Sequence, residues 1–148
     1  MSFGYGTIYM EEGVVFPISY KIGDLIIDEM QARLPKESQQ VVVKGEPFSL
    51  GVVISTKKSK TELSIQGPSI SKKYKMVDYT LWIPYEKVIK SKNIPNAYLD
   101  CVCEGIILVF KEYQYDSSIV TKIFSDIKKE VLNNPEYEYR KEDDPSPW

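Results

Sequence analysis

The chain contains no histidine in 148 residues. Histidine is the usual proton carrier near pH 7 and the commonest metal ligand. Its absence excludes Ser-His-Asp and Cys-His nucleophile systems, and with them His-ligated zinc and facial-triad iron. Cysteine is nearly as scarce, Cys101 and Cys103 being the only two. Two thiols with no further Cys or His cannot complete a structural zinc site, so neither a metal nor a cofactor is expected, and this usage fits a reducing cytosol. Guanidinium groups are limited to Arg33 and Arg140. Phosphate-binding glycine loops are missing too. Gly4-Tyr5-Gly6 opens like one, but Tyr9 stands where a third Gly is required, and there is no Walker A sequence. The longest apolar run, Ile106 to Phe110, falls far short of the roughly 20 residues that span a bilayer. The first residues lack the basic and apolar regions of a secretory signal. A cytoplasmic protein without a membrane partner is the expectation.

What is present is the composition of a globular domain, 43% hydrophobic and 27% charged. At this length an ordinary core suffices without staples. Residues 1–134 read as a single α+β domain, and 135–148 as an acidic C-terminal tail, either disordered or supplying an edge strand through Tyr137 and Tyr139. The spacing predicts a strand over residues 3–10 and a second over Val14–Ile18, joined as a hairpin by Glu11-Glu12-Gly13. A helix follows, capped by Asp24, with Leu25, Ile26 and Met30 at helical intervals and Pro35 as its stop. Residues 40–83 read as an antiparallel meander of four strands, Gln40–Lys44, Leu50–Ser55, Glu62–Gln66 and Met76–Ile83, parted by Gly-, Pro- and Lys-rich turns. In the last of these, Val77, Tyr79, Leu81 and Ile83 share one face, and Asp78, Thr80 and Trp82 the other.

Pro84 suits the start of a short helix to Lys90, and Asn93-Ile94-Pro95-Asn96 breaks the chain. Tyr98–Tyr113 is β-branched and aromatic enough to read as strand, with Gly105 as a bulge or turn. On such a strand Cys101 and Cys103 are small residues of one face, and Asp100 and Glu104 stand about 13 Å apart, too far for paired acid–base work within one strand. A cross-strand partner such as Asp78 can come closer, but edge or outward-facing charge is the plainer reading. A final amphipathic helix, capped by Asp116 or Ser117, carries the stripe Ile119, Val120, Ile123, Phe124, Ile127 and Val131 and ends at Asn133-Asn134-Pro135. The fold class expected is α+β, a mostly antiparallel sheet packed against two or three helices.

The net charge of −2 conceals three unequal blocks. Residues 57–92 hold nine Lys against Glu62, Asp78 and Glu86, whereas residues 93–148 hold 11 acidic and 6 basic side chains. A meander places Lys57, Lys58 and Lys60 at the same end of the sheet as Trp82, Lys87 and Lys90. Cations beside an aromatic ring can bind an anion or a nucleic acid. Against that, the patch has no Arg for bidentate readout, and lysines at turns are ordinarily just solvated. At the acidic end, Glu136, Glu138, Asp143 and Asp144 with Tyr137 and Tyr139 combine charge with amphipathic rings suited to a protein interface. The eleven tyrosines are spread over the whole chain and serve half-buried strands equally well.

In general character the chain resembles the small cytoplasmic immunity proteins with which bacteria neutralise toxins. It shares with them a single α+β domain without histidine, Tyr-rich strands such as Tyr79-Thr80-Leu81-Trp82, a closing amphipathic helix from Ser117 to Leu132, and an acidic end. The basic middle block departs from a uniformly acidic inhibitor. The resemblance implies a non-catalytic protein-binding module whose partner is a toxin or nuclease domain, met by the acidic segments 24–29 and 93–148. The alternative is a nucleic-acid or anionic-ligand binder using Lys57–Lys92.

Overall fold

The computed structural model describes residues 3–140 except Glu12 and Val15, and the backbone alone of Ile8 and Tyr9. It is an α+β fold with nine main elements in the order β1 (Gly4–Met10), α1 (Tyr20–Arg33), β2 (Gln40–Val43), β3 (Glu46–Lys57), β4 (Ser64–Ser71), β5 (Met76–Pro84), α2 (Tyr85–Ile89), α3 (Ile94–Glu112) and α4 (Ser118–Asn133). The sheet is mixed, in the order β1-β3-β5-β4. β1 and β5 both run parallel to β3, β4 runs antiparallel to β5, and β2 pairs antiparallel with the first residues of β3. Ser49 has partners in both β2 and β5. β2 and β1 therefore follow one another along one edge of β3, with β5 on the other.

Burial alternates strictly along β5 from Met76 to Ile83, whereas central β3 is buried at every position from Phe48 to Thr56 but Val53. Leu50, Val52 and Ile54 of β3 lie in register with Val77, Tyr79 and Leu81 of β5, and all six are buried. Against them pack Ile22, Ile26 and Met30 of α1 and Leu99, Val102, Ile106, Val109 and Phe110 of α3. α4 lies over α1 and α3 and adds Val120, Ile123, Phe124 and Ile127 to the same core. The final-helix stripe is thus as its spacing predicts, and so is the split between the two faces of β5. Lys44 and Gly45, both at positive φ (48° and 82°), make the two-residue turn that joins β2 to β3, the geometry that matches strand twist. Buried Gln39 ties the start of β1 down: its Oε1 accepts from Phe3 N (3.3 Å), while its Nε2 donates to the carbonyls of Gln31 (3.1 Å) and Leu34 (2.9 Å).

Four expectations fail, each for a physical reason. Residues 40–83 do form four strands, but not a meander. β3 and β4 are not neighbours, because the connection after Lys57 carries the chain past the next position and β5 returns between them through the Lys72–Lys75 turn. Nor does β1 form a hairpin; its partner is β3, and Val14 and Phe16–Ile18 are not strand. Helix α1 starts at Tyr20, capped by Ser19, whose hydroxyl accepts from Lys21 N (3.3 Å), and Asp24 lies inside it. The largest correction is the stretch read as strand through Tyr98–Tyr113, which is the 19-residue helix α3. Asn93 is its N-cap, accepting from Asn96 N (3.1 Å), and Pro95 sits in its first turn where a missing N–H costs nothing. Buried Tyr98, Leu99, Val102, Gly105, Ile106, Val109 and Phe110 recur every three or four residues. On this helix Cys101 and Cys103 no longer share a face, and Asp100 and Glu104 stand one turn apart.

Gly105 is where α3 meets the sheet. A Cβ there would lie 2.5 Å from Leu81 Cδ2 and 3.0 Å from Leu81 Cγ. Gly105→Ala, which should favour an isolated helix by about 1 kcal/mol, is expected instead to destabilise the protein by about 1–2 kcal/mol through overpacking. Urea unfolding measures this, and an unchanged or raised midpoint would show that α3 rides clear of Leu81.

Candidate functional site

At the end of α4 the chain turns back on itself. The Asn134 side chain accepts from Glu136 N (3.0 Å), and Pro135–Tyr137 makes one 3-10 turn, so residues 135–140 do not add an edge strand to the sheet. This turn lays Tyr137, half-buried, against the core. Its phenol is raised above its usual pKa, first by burial and then by the charges of Glu130, Glu136, Asp28 and Glu29. Two of those carboxylates come from α1 and two from the C-terminal region, so the fold gathers acidic residues about a hundred positions apart around one ring. Lys21 reaches Glu136 (4.0 Å), and Arg33 lies between Glu29 (3.5 Å) and Asp126 (2.9 Å). Asp24, Asp28, Glu130, Glu136 and Glu138 remain exposed.

Beside this patch runs a groove of about 380 Å³ whose lining includes Leu99, Val131, Leu132, Tyr137, Glu138 and Tyr139. Leu132 is 73% exposed, the most exposed large apolar side chain of the described residues. An apolar strip rimmed by charge is the usual composition of a binding surface. Of the residues singled out in the sequence, Tyr137, Glu138 and Tyr139 line this groove and Glu136 adjoins Tyr137, while Asp143 and Asp144 lie outside the described residues. Sequence reading missed Leu132, the last apolar residue of α4 and out of its stripe, and the role of Asp28, Glu29 and Glu130. The α1 carboxylates had been marked by charge alone.

The basic candidates divide. Lys57 Nζ and Lys60 Nζ stand 5.3 and 5.0 Å from the centre of the Trp82 ring, close enough for cation–π attraction. Trp82 Nε1 donates to Gln66 Oε1 (3.0 Å). Lys58 meets the loop after β1 through its backbone, its N–H donating to Glu11 Oε2 (2.8 Å). Lys90 pairs with Glu86 one turn away (3.3 Å), and Lys87 acts on the Cys101 thiol of α3. Lys57, Lys60 and Trp82 are therefore brought together as expected. They meet because β3 and β5 are parallel neighbours that end side by side.

Five of the tyrosines serve the interior. Tyr5 and Tyr98 hydrogen-bond through their hydroxyls, Tyr79 and Tyr113 do the same at 2.6 Å, and Tyr115 donates to the Gln40 carbonyl at 2.6 Å. Cys101 and Cys103 are free thiols, both raised by burial, Cys103 to about 11. Among the described residues no three His, Cys, Asp or Glu side chains converge as metal ligands, and no helix is long and apolar enough to cross a membrane. Comparison with protein-family models, with curated proteins and with solved structures finds no match for this chain.

The buried phenols make the fold sensitive to alkali. Burial is the main cause that pushes Tyr98 up to about 12. The folded chain therefore holds this proton more tightly than the unfolded one, and that stabilisation is complete below pH 10 and lost as pH climbs from 10 toward 12. Tyr98→Phe should flatten the fall in unfolding free energy between pH 9 and pH 11 by about 1 kcal/mol. Urea titrations at the two pH values test this, and an unaltered slope would assign the alkaline transition to other groups.

Proposed function

We propose that this chain is a non-catalytic protein-binding module, an inhibitor of the immunity-protein kind that holds a basic toxin, such as a nuclease domain, against the acidic surface of α1, α4 and the C-terminal turn. The observation that carries the reading is the convergence of Asp28, Glu29, Glu130 and Glu136 on half-buried Tyr137, next to a groove with Leu132 exposed. A rigid ring in a partly desolvated setting is a typical anchor of binding energy. The surrounding carboxylates accelerate encounter with a cationic partner. Glu138 and Tyr139 extend this surface along the groove.

The alternative, anion or nucleic-acid binding by Lys57, Lys58, Lys60, Trp82, Lys87 and Lys90, has less support. Base stacking needs an open aromatic face, and two lysine ammoniums stand over the Trp82 ring. Lys90 is already paired.

The test starts with the tagged full chain, captured from its native host at low salt and washed with rising salt. A protein retained in fixed ratio is expected. The triple reversal Asp28→Lys, Glu130→Lys and Glu136→Lys should slow association with that protein about tenfold at low ionic strength, with less change in dissociation, and the effect should shrink as salt rises. Lys57→Glu, Lys58→Glu and Lys60→Glu together should leave the association rate within about twofold. Recovery of nucleic acid alone, or an association rate untouched by the acidic reversals, overturns the reading.

A further inference from the structure

The sheet has a second face that the helices leave bare. Opposite the buried apolar series, β5 presents half-exposed Met76, Asp78, Thr80 and Trp82, and β3 presents Val53 and Lys57, with Ser49, Gly51 and Ser55 buried in the floor between them. Gly4 and Gly6 of β1 flank them on one side, and Ser64, Gln66, Ser69 and Ser71 of β4 on the other. Among the described residues none of these side chains belongs to the core against which the helices pack; Val53, Met76 and Trp82 all stand outside it. An antiparallel sheet tolerates one wet face. Parallel ladders are ordinarily covered on both, and among the described residues the helices cover the parallel set β1, β3 and β5 on one side only.

The bare face carries charges of opposite sign at its two ends. Toward one end Asp78 lies flat over Gly51, its carboxylate in the space a Cβ at Gly51 would take. Asp78 has no ion-pair or hydrogen-bond partner among the described residues, and partial burial raises its carboxyl above the usual range. Four residues further along β5, about 13 Å at strand rise, Lys57 and Lys60 hold their ammoniums over Trp82, and neither has a carboxylate within ion-pair distance among the described residues. Between these ends the side chains are small, Val53 and Thr80 half-exposed and Gly51 and Ser55 buried in the floor of the face. A face with an anion at one end and cations at the other, none of them ion-paired among the described residues, complements itself after a half-turn. A two-fold axis lying across the strands at the level of Thr80 turns the Asp78 end of one copy onto the Trp82, Lys57 and Lys60 end of the other, twice over.

We propose that the helix-free face of the sheet is a docking surface for a second copy of this chain, packed sheet on sheet, with Asp78 of each protomer meeting Lys57 and Lys60 of its partner. The occupant is chosen by this charge complementarity. A uniformly basic or acidic partner would satisfy one end of the face and oppose the other. Four strands about 4.8 Å apart and seven residues long at about 3.3 Å each give a face of roughly 450 Å² in projection. That is a small interface by the standard of stable complexes, so the dimer dissociates in the micromolar range. The surface is separate from the acidic patch of α1 and α4, which lies on the helical side and stays exposed in both protomers. The dimer and the proposed function can therefore fail independently.

Sedimentation equilibrium of the full chain from about 1 to 300 µM in low salt tests the proposal. The expected result is a mass rising from 17.0 kDa toward twice that value. Asp78→Lys, and separately Lys57→Glu with Lys60→Glu, should each weaken the dimer at least tenfold while leaving far-ultraviolet circular dichroism unchanged. Mixing the two variants in equal amounts should restore association, since both contacts in the mixed pair are again between opposite charges. If Asp78→Lys does not fold, the double lysine variant alone must show the tenfold loss. A chain monomeric throughout the range overturns the proposal. So does a dimer indifferent to the lysine substitutions, or two folded variants that fail to associate on mixing.

Discussion

Leu81 of β5 fills the space that a side chain at position 105 would need, and this close seat of α3 on the sheet governs where the rest of the chain can go. Because Gly105 lets the helix axis come so near, Ile106, Val102 and Val109 reach the apolar row of β5, and Tyr98 reaches Tyr5 beyond β3. α4 then settles in the angle between α1 and α3, with Lys128 paired to Asp100 of α3 and Asp126 to Arg33 of α1. The turn capped by Asn134 follows α4 and brings Tyr137 to the carboxylates of α1. The acidic surface is in this sense a product of helix seating. Its members are set by a contact on the far side of the helical layer.

Local periodicity carried much of the fold, and it failed where two periods compete. In β5 buried apolar residues recur at every second position from Val77 to Ile83, and in α4 the stripe has clean helical spacing, so both elements were readable. Between Tyr98 and Tyr113 apolar residues predominate, and the first charges among them, Asp100 and Glu104, stand four residues apart. That spacing keeps one face on a strand and on a helix alike, so the helix imitates a buried strand. The deciding signals were at its start, where Asn93 and Pro95 looked like a break and are a cap. Strand order was less accessible still. A turn of Lys and Ser is equally good chemistry for a hairpin and for a connection that skips a position, and nothing local tells β3 that its neighbour is β5.

The two candidate surfaces show the same division. Tyr137, Glu136 and Glu138 stood out by composition, but their partners on α1 are revealed only by the packing of α1 against α4. The meeting of Lys57 and Lys60 with Trp82 was foreseen through a mistaken topology. A meander and a parallel β3–β5 pair both bring the ends of those strands to one end of the sheet, so the error in strand order left the proximity intact. Asp78 was passed over as an outward charge. Its isolation follows from which residues lie across from it, Gly51 on one side and Ser69 on the other, and a glycine and a serine offer it no cation.

The margins of the sheet bear on how molecules of this protein can add to one another. Along β4 the ladder to β5 slips between Gln66 and Ser69, where Gly67 takes φ 131° and Pro68 has no N–H to give, so the outer rim of that strand is interrupted at its middle. The opposite rim is shared by β1 and β2, which run in opposite directions along successive parts of β3, and neither offers a long uniform row of backbone groups. Strand-by-strand growth of the kind that builds fibrils needs such a row. Copies meeting through a face rather than a rim use up that face, so assembly closes at a fixed number of subunits instead of running on as a filament.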